Sequence, residues 1–119
     1  MVDRLALGAW GEDLAVAHLE ARGYAVLARN WRCREGELDI VAANDDALVF
    51  VEVKTRSSRD FGEPAEAVSL LKARRIHGLA ARWLAEHRPP GRRDLRFDVV
   101  AIVRVPGQAP DLVHLEGAF

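Results

Sequence analysis

Apolar residues recur with a helical period near the start of the chain and again after its middle. The first such segment runs from residue 5 to about residue 22 and ends at Gly23, a residue typical of helix C-caps. The second runs from around residue 69 to residue 87 and is ended by Pro89 and Pro90. The stripes expected to face a core are Leu7, Trp10, Leu14, Ala17 and Ala21 in the first helix, and Ile76, Leu79, Ala80, Trp83 and Leu84 in the second.

Runs of apolar and β-branched residues between and after these helices indicate strands. They cover residues 25–31, 37–43, 47–54 and 95–105, with residues 112–115 as a candidate short last strand. The turn-prone Asn44-Asp45-Asp46 joins the second and third strands, and residues 55–64 form a polar loop. The order αβββαβ, with or without a final strand, predicts an α/β fold. We expect a mixed sheet flanked by helices in a single domain over residues 1–119.

Two of these strands carry charges where apolar residues are expected. Glu52 and Lys54 end the apolar run that begins at Leu48, and Asp39 lies inside the second strand. Charges in such positions are costly unless something pairs with them. They therefore mark a candidate site.

The length of the hairpin loop decides whether these charges meet. With a two-residue Asp45-Asp46 loop, Asn44 pairs with Ala47 and Asp39 falls opposite Glu52. Cross-strand Cβ atoms are then roughly 5 Å apart, and two carboxylates so placed call for a cation between them. A three-residue loop without a bulge would instead pair Asp39 with Val51 and put the acids on opposite faces.

The chemistry that suits this arrangement is phosphodiester hydrolysis with a divalent metal. Mg²⁺, or Mn²⁺ in its place, takes oxygen ligands, here Asp39 and Glu52 with the Val53 carbonyl as a third. Lys54 would orient or help deprotonate the attacking water. Glu12 and Lys72 each lie on an apolar helix stripe, so both are expected to point toward the sheet. Beside a metal or a phosphate their charges would be useful.

Composition narrows the class of protein. The 119 residues are half apolar with a formal net charge of −1, and no apolar stretch approaches the length of a membrane span. The N-terminus lacks a signal-peptide pattern, and the single cysteine, Cys33, excludes an internal disulfide. These features predict a cytoplasmic protein. The segment from Lys54 to Arg75 is locally basic, which keeps a nucleic-acid partner open despite the overall balance.

The charged residues resemble the PD-(D/E)xK nuclease superfamily, whose restriction-endonuclease-like core has the same αβββαβ order. The chain is most similar to the YraN-type family of bacterial proteins, and more distantly to archaeal Holliday-junction resolvases. Leu38 stands where the superfamily pattern has proline. The segments that carry the resemblance are Gly11-Glu12, Gly23-Tyr24, Asn30, Gly36-Glu37-Leu38-Asp39-Ile40, Phe50-Val51-Glu52-Val53-Lys54-Thr55-Arg56, Phe61-Gly62, Lys72 and Arg96-Phe97-Asp98-Val99-Val100.

The resemblance implies a Mg²⁺-dependent endonuclease acting on DNA, with branched or damaged structures as candidate substrates. Its catalytic residues would be Glu12, Asp39, Glu52 and Lys54, and its substrate-binding residues Arg56, Lys72 and Arg75. Resolving a two-fold junction would call for a homodimer. The alternative is a nucleic-acid-binding or adaptor protein that keeps the fold without turnover.

Several of these residues also have simpler interpretations. Glu12 can pair with Arg29 or Arg32, and Glu37 can be a structural ion-pair partner. The cluster of Lys72, Arg74 and Arg75 can be a solvated helix face. For Asp98 we favour a structural role, as a partner of Arg96 or Lys72.

Overall fold

The structure, a computed structural model, describes residues 3–58 and 68–119. It contains two helices and five strands: α1 (Arg4–Ala21), β1 (Ala25–Cys33), β2 (Gly36–Ala43), β3 (Ala47–Arg56), α2 (Leu70–His87), β4 (Asp94–Val103) and β5 (Asp111–Leu115). The polar loop and basic segment of the sequence analysis fall partly outside the described residues. The positions concerned are Arg59, Asp60, Phe61, Gly62, Glu63, Pro64 and Glu66.

The strands form one mixed sheet in sequence order, β1-β2-β3-β4-β5. The β3–β4 pair is parallel, with α2 as its crossover, and the other pairs are antiparallel. Alternate residues of β3 pack under different helices. Val49 and Val51 contact the cluster that includes Leu19 of α1, whereas Leu48 and Phe50 contact the α2 cluster. The predicted α/β fold with an αβββαβ core and a mixed sheet flanked by helices is therefore confirmed.

Element boundaries differ modestly from the expected ones. β1 extends two residues further, to Cys33, and β3 runs on to Arg56 because both ends keep a paired neighbour. β4 ends at Val103 rather than at residue 105, and the short last strand exists. Within the described residues, no helix is long and apolar enough to cross a membrane.

The predicted buried stripe of α1 is partly wrong. Its fully buried residues are Gly11, Ala15 and Leu19, while Ala17 and Ala21 are exposed. The buried side of α1 differs from the predicted one because a small residue, Gly11, lies where the helix contacts the sheet. A Cβ atom at Gly11 would lie 1.8 Å from Thr55 Oγ1, so α1 touches β3 more closely there than any larger residue allows. This contact brings the neighbouring Glu12 against the end of β3.

We expect Gly11→Ala to destabilise the protein by about 1–3 kcal/mol, because the added methyl group must push α1 away from Thr55. The matched control is Gly8→Ala in the same helix, where an added Cβ meets nothing within 4 Å. That variant should be stabilised, by up to about 1 kcal/mol, since alanine is the better helix former. Urea denaturation of both variants measures the difference. Equal stabilisation by the two alanines would contradict the close approach.

A buried polar network ties β4, β5 and α1 together around Asp98, which has no exposed surface. Its carboxylate accepts two hydrogen bonds from Arg96, at 2.9 Å each, and one from the Gly117 backbone N–H at 3.0 Å. His114 Nε2 lies 2.7 Å from the same carboxylate. Burial alone would raise the pKa of Asp98, but the bonds from His114 and Arg96 outweigh it and lower that pKa. The predicted structural pairing of Asp98 with Arg96 is confirmed.

The network continues to α1 through a second histidine. His114 Nδ1 lies 3.0 Å from His18 Nε2. With a proton on His114 Nε2 for Asp98, Nδ1 of the neutral ring accepts a hydrogen bond from His18. Burial, then the nearby His114 and Arg22, lower the pKa of His18. One chain of hydrogen bonds thus joins α1 to β4 and β5, which lie far from it in the sequence.

Candidate functional site

β2 and β3 separate at a fork, the point beyond their last residue pair. Their ladder runs from Ala43–Leu48 to Ile40–Val51. Beyond it β2 pairs only with β1, and β3 only with β4. Asn44 N–H donates to the Ala47 carbonyl at 3.0 Å, which closes the predicted two-residue loop. The predicted register is therefore confirmed. Extended by one residue pair beyond Ile40–Val51, the same register places Asp39 opposite Glu52.

Asp39 and Glu52 meet at the fork, where the charge of Glu52 helps to raise the pKa of Asp39 after burial, the larger cause. Asp39 Oδ2 also accepts a hydrogen bond from the Val53 N–H at 2.9 Å. In an extended strand the N–H and C=O of one residue leave on the same edge, so the Val53 carbonyl faces the fork too. Glu52 is buried, and its side chain is only 9% exposed. Of the two acids, Glu52 is therefore buried, whereas Asp39 is only partly buried.

The expected alternation of β2 breaks at Asp39. Strict strand alternation would put residues 37, 39, 41 and 43 on one face of the sheet and their neighbours on the other. Instead Leu38 and Val41 both pack under α2, while Ile40 packs under α1. Opposite Asp39, Asn30 of β1 has a positive φ of 51°, a conformation that asparagine tolerates. This irregularity lets Asp39 reach groups from both sides of the sheet.

Two lysines accompany the acids. Lys72 Nζ lies 2.5 Å from Glu52 Oε1, and Lys54 interacts with Lys72. The pKa of Lys54 is lowered, first by its contact with Lys72 and then by burial. Burial would also lower the pKa of Lys72, but its bonds to Glu52 and Lys54 outweigh that effect and raise it. The structure therefore brings Asp39, Glu52, Lys54 and Lys72 together.

Glu12 reaches the same end of the sheet from α1. Its Oε1 accepts hydrogen bonds from Arg29 Nε at 3.0 Å and Asn30 Nδ2 at 2.9 Å. Arg29 also donates to Asp13 at 2.7 Å, and its bonds to Asp13 and Glu12 raise its pKa. Within residues 3–58 and 68–119, both bonds to Glu12 end on Oε1. Glu12 therefore pairs with Arg29, as the simpler interpretation predicted, and it also points toward the sheet, as its helix stripe predicted.

An open cleft of about 800 Å³ lies against this end of the sheet. Its lining includes Glu12, Asp39, Val53 and Lys54. Further charged residues of the lining are Arg4, Arg29, Arg32, Glu37 and Arg56. Glu52 and Lys72 are not among the described residues that line it, since they lie on the α2 side of the fork. The cleft and the acidic pair therefore meet at Asp39 and Lys54.

The remaining predicted residues are placed as follows. Glu37 forms an ion pair with Arg32 at 2.8 Å, which supports its structural interpretation. Arg56 lines the cleft, whereas Arg75 is exposed on α2 and its Cδ lies 3.7 Å from where a Cβ of Gly36 would be. Arg75 is the one predicted substrate-binding residue that the described structure does not bring to the site.

Sequence reasoning missed Asn30 as a partner of Glu12. Its amide fixes the carboxylate, and its position opposite Asp39 links β1 to the fork. An asparagine within a strand-like segment was the available signal, because asparagine is depleted in strands and tolerates a positive φ.

Asp39 is expected to titrate near neutral pH in the metal-free protein. Burial, and next the charge of Glu52, raise its pKa from 3.8 to about 7, against the opposing Val53 hydrogen bond. Because the pKa is higher in the folded state, the stability that Asp39 contributes is present below about pH 4 and lost as pH rises through about 7. Carbon-13 NMR of the side-chain carboxyls, assigned with Asp39→Asn, measures the midpoint. A midpoint below about 5 would contradict this environment.

An αβββαβ core whose middle strands fork around two carboxylates and a lysine defines a restriction-endonuclease-like domain. Residues 11–102 match Uncharacterised protein family UPF0102, and the chain belongs to this family. The expected YraN-type membership is thereby confirmed.

The relatives match over nearly their whole length. A UPF0102 protein of Beutenbergia cavernae is 55% identical over 112 residues, covering 94% of each chain. One of Frankia alni is 57% identical over 114 residues, covering 96% of this chain and 94% of the relative. One of Rhodococcus opacus is 51% identical over 119 residues and covers both chains completely.

Proposed function

We propose that this protein is a metal-dependent nuclease that hydrolyses phosphodiester bonds of DNA. Branched or damaged DNA is the substrate class that the resemblance to resolvases favours. The observation that carries the proposal is the fork, where Asp39 and Glu52 lie side by side with Lys54 two residues further along β3. An acidic pair and a lysine at the rim of an open cleft are what metal-assisted hydrolysis needs.

The donor set fits Mg²⁺ or Mn²⁺. Burial, and next the charge of Glu52, raise the pKa of Asp39, and a divalent ion bound by both carboxylates would offset both effects. Among the described residues, no group of three or more His, Cys, Asp or Glu side chains could hold a metal. Two carboxylates and the Val53 carbonyl leave positions for water and phosphate, which is how Mg²⁺ is usually bound. A bound divalent ion would supply Lewis-acid activation of the phosphate.

The roles of the chain's own residues follow from their positions. Asp39 and Glu52 would hold the metal. Lys54 would orient the attacking water, and its lowered pKa means that it is unprotonated, and so able to accept the proton of that water, in more molecules than an ordinary lysine. Glu12 would use Oε2 toward the same water or a second metal, while Arg29 and Asn30 keep Oε1 fixed. Each of these groups adjoins the cleft or the fork.

The cleft supplies contacts for a phosphate backbone. Arg4 and Arg56 line it, and neither depends on base identity for its contact. Arg29 and Arg32 are already paired with Glu12, Asp13 and Glu37, so they add less charge than their number suggests. This modest basic rim suits a protein that recognises the shape of DNA. Cleavage of a two-fold junction would need a homodimer with two such sites.

A cleavage panel tests the proposal. Single-stranded, duplex, flap and four-way DNA are incubated with the wild type and Glu52→Ala in Mg²⁺, in Mn²⁺ and in EDTA. We expect metal-dependent cleavage by the wild type of at least one branched substrate, and none by the variant. Cleavage that survives in Glu52→Ala would assign the activity to a different site or a contaminant.

Binding without cleavage is the outcome that would favour the alternative. A non-catalytic nucleic-acid-binding or adaptor protein should retain DNA by gel shift while every substrate stays intact in both metals. In about 0.5 M salt we expect DNA binding to be lost whichever function is correct, because phosphate contacts dominate the binding in both cases.

A further inference from the structure

Lys72 occupies a position in α2 where a lysine is unfavourable. The Ser69 side chain caps the helix by accepting a hydrogen bond from the Lys72 N–H at 3.2 Å, so Lys72 is the third residue of the first turn. That position favours Glu or Gln, and the positive end of the helix dipole repels a cation. No acidic residue lies in this first turn to offset the charge. Helix formation therefore does not explain Lys72.

The explanation lies in the charges that surround its ammonium group. The charge of Glu52 acts on Asp39, and Lys54 and Lys72 act on each other in the same cluster. Lys72 bonds directly to Glu52 Oε1, and Glu52 is buried. Without a metal, the four groups form a nearly neutral cluster in which Lys72 is the main counter-ion of Glu52.

A divalent ion at this cluster would change its charge by two. A metal on Glu52 and the Lys72 ammonium would compete for that carboxylate, because two cations sharing it repel each other. Once the metal holds Glu52, two ammonium groups and a dication lie together with only two carboxylates. The cluster then carries a net positive charge and favours an anion such as a backbone phosphate.

We infer that Lys72 exchanges Glu52 for substrate phosphate when the metal binds, so that metal and DNA bind cooperatively. The inference rests on the proposed metal site. In the free protein Lys72 competes with the metal for Glu52 and weakens metal affinity. With DNA present, the phosphate holds Lys72 away from Glu52 and the metal binds more tightly. Linkage requires the converse, that the metal tightens DNA binding by the same factor.

Lys72→Met tests this competition without any need for catalysis. Mn²⁺ affinity is measured by electron paramagnetic resonance at about pH 8, in the absence of DNA, for the wild type and the variant. We expect the variant to bind Mn²⁺ more tightly, by roughly five- to tenfold, within the usual range of such couplings. The matched control is Arg74→Met, which removes an exposed cation two residues further along α2 and should change Mn²⁺ affinity by less than about twofold.

DNA binding provides the second measurement. Fluorescence anisotropy of a labelled four-way junction is compared in EDTA and in Ca²⁺. In the wild type we expect Ca²⁺ to tighten binding by about tenfold or more, and in Lys72→Met by less than about threefold. Lys72→Gln, which keeps a polar end near Glu52, repeats both measurements if the methionine variant is unstable.

The outcomes separate the inference from the proposed function. Unchanged or weaker Mn²⁺ affinity in Lys72→Met, with a wild type that binds Mn²⁺, overturns the exchange and makes Lys72 a static ion-pair partner. If the wild type binds no Mn²⁺ and Ca²⁺ does not change its DNA affinity, the metal site itself is wrong, and the proposed nuclease with it. Tighter Mn²⁺ binding with a reduced gain in DNA affinity supports the exchange.

Discussion

Replacing Asp98 by asparagine should destabilise the protein by about 3–5 kcal/mol, because it removes the buried charge on which three donors converge. The substituted amide has one acceptor oxygen, and its NH₂ group would face Arg96 or His114, which themselves donate. Arg96 is only 24% exposed, so water cannot fully replace the lost carboxylate. Urea denaturation measures the free energy of unfolding, and we expect the melting temperature to fall by roughly 10 °C or more.

Glu116→Gln is the matched control for Asp98→Asn. Glu116 also pairs with Arg96, at 3.7 Å, but its side chain is 54% exposed. An exposed pair contributes little, so this variant should lose less than about 0.5 kcal/mol. If the two substitutions lower the free energy of unfolding equally, the loss comes from removing a negative charge beside Arg96 and not from the burial of Asp98.

Glu52→Gln should abolish metal binding while keeping the shape of the side chain. Loss of one of two carboxylate ligands is expected to weaken Mn²⁺ affinity by at least about 100-fold, since even indirect partners of a metal contribute 10–100-fold. Any cleavage activity should fall by roughly 10³-fold or more, because the charge that develops on the phosphate loses its stabilisation. Calorimetry with Mn²⁺ measures the first effect, and single-turnover cleavage of the best substrate in the panel measures the second.

Glu37→Gln controls for the general charge of the cleft. Glu37 lines the same cleft and carries the same charge, but it pairs with Arg32 and not with the acidic pair. Its Mn²⁺ affinity and cleavage rate should stay within about threefold of the wild type. If Glu37→Gln has as large an effect as Glu52→Gln, the metal lies further into the cleft than the fork.

The parts that could be predicted from the sequence are those that depend on neighbouring residues. Asn44-Asp45-Asp46 is a strong turn signal, and counting back along two strands from that turn gives the Asp39–Glu52 register. The order of helices and strands follows in the same way from the period of the apolar residues. The predicted stripe of α2 was correct at Ile76, Leu79, Ala80 and Trp83, which are buried, while Leu84 is only partly buried and Ala73 is buried in addition.

The parts that could not be predicted depend on contacts between distant segments. His18 and His114 are 96 residues apart, and nothing near either residue indicates that they meet. The rotation of α1 depends on Thr55, which makes Gly11 a contact position and not a break in the stripe. The irregularity at Asp39 likewise lies where β2 pairs with β1 but no longer with β3, so it depends on two strand pairings at once.

The Asp45–Asp46 turn limits how the length of this chain can vary. Residues inserted between Asn44 and Ala47 can loop outward into solvent and leave the Ala43–Leu48 pair in place. A deletion cannot be absorbed in this way, because a two-residue loop is already the shortest common hairpin connection. The strands would slide by one residue and separate the acids of the fork, four residue pairs away. Insertions at this turn should therefore be tolerated, whereas a single-residue deletion there should remove the site from a protein that still folds.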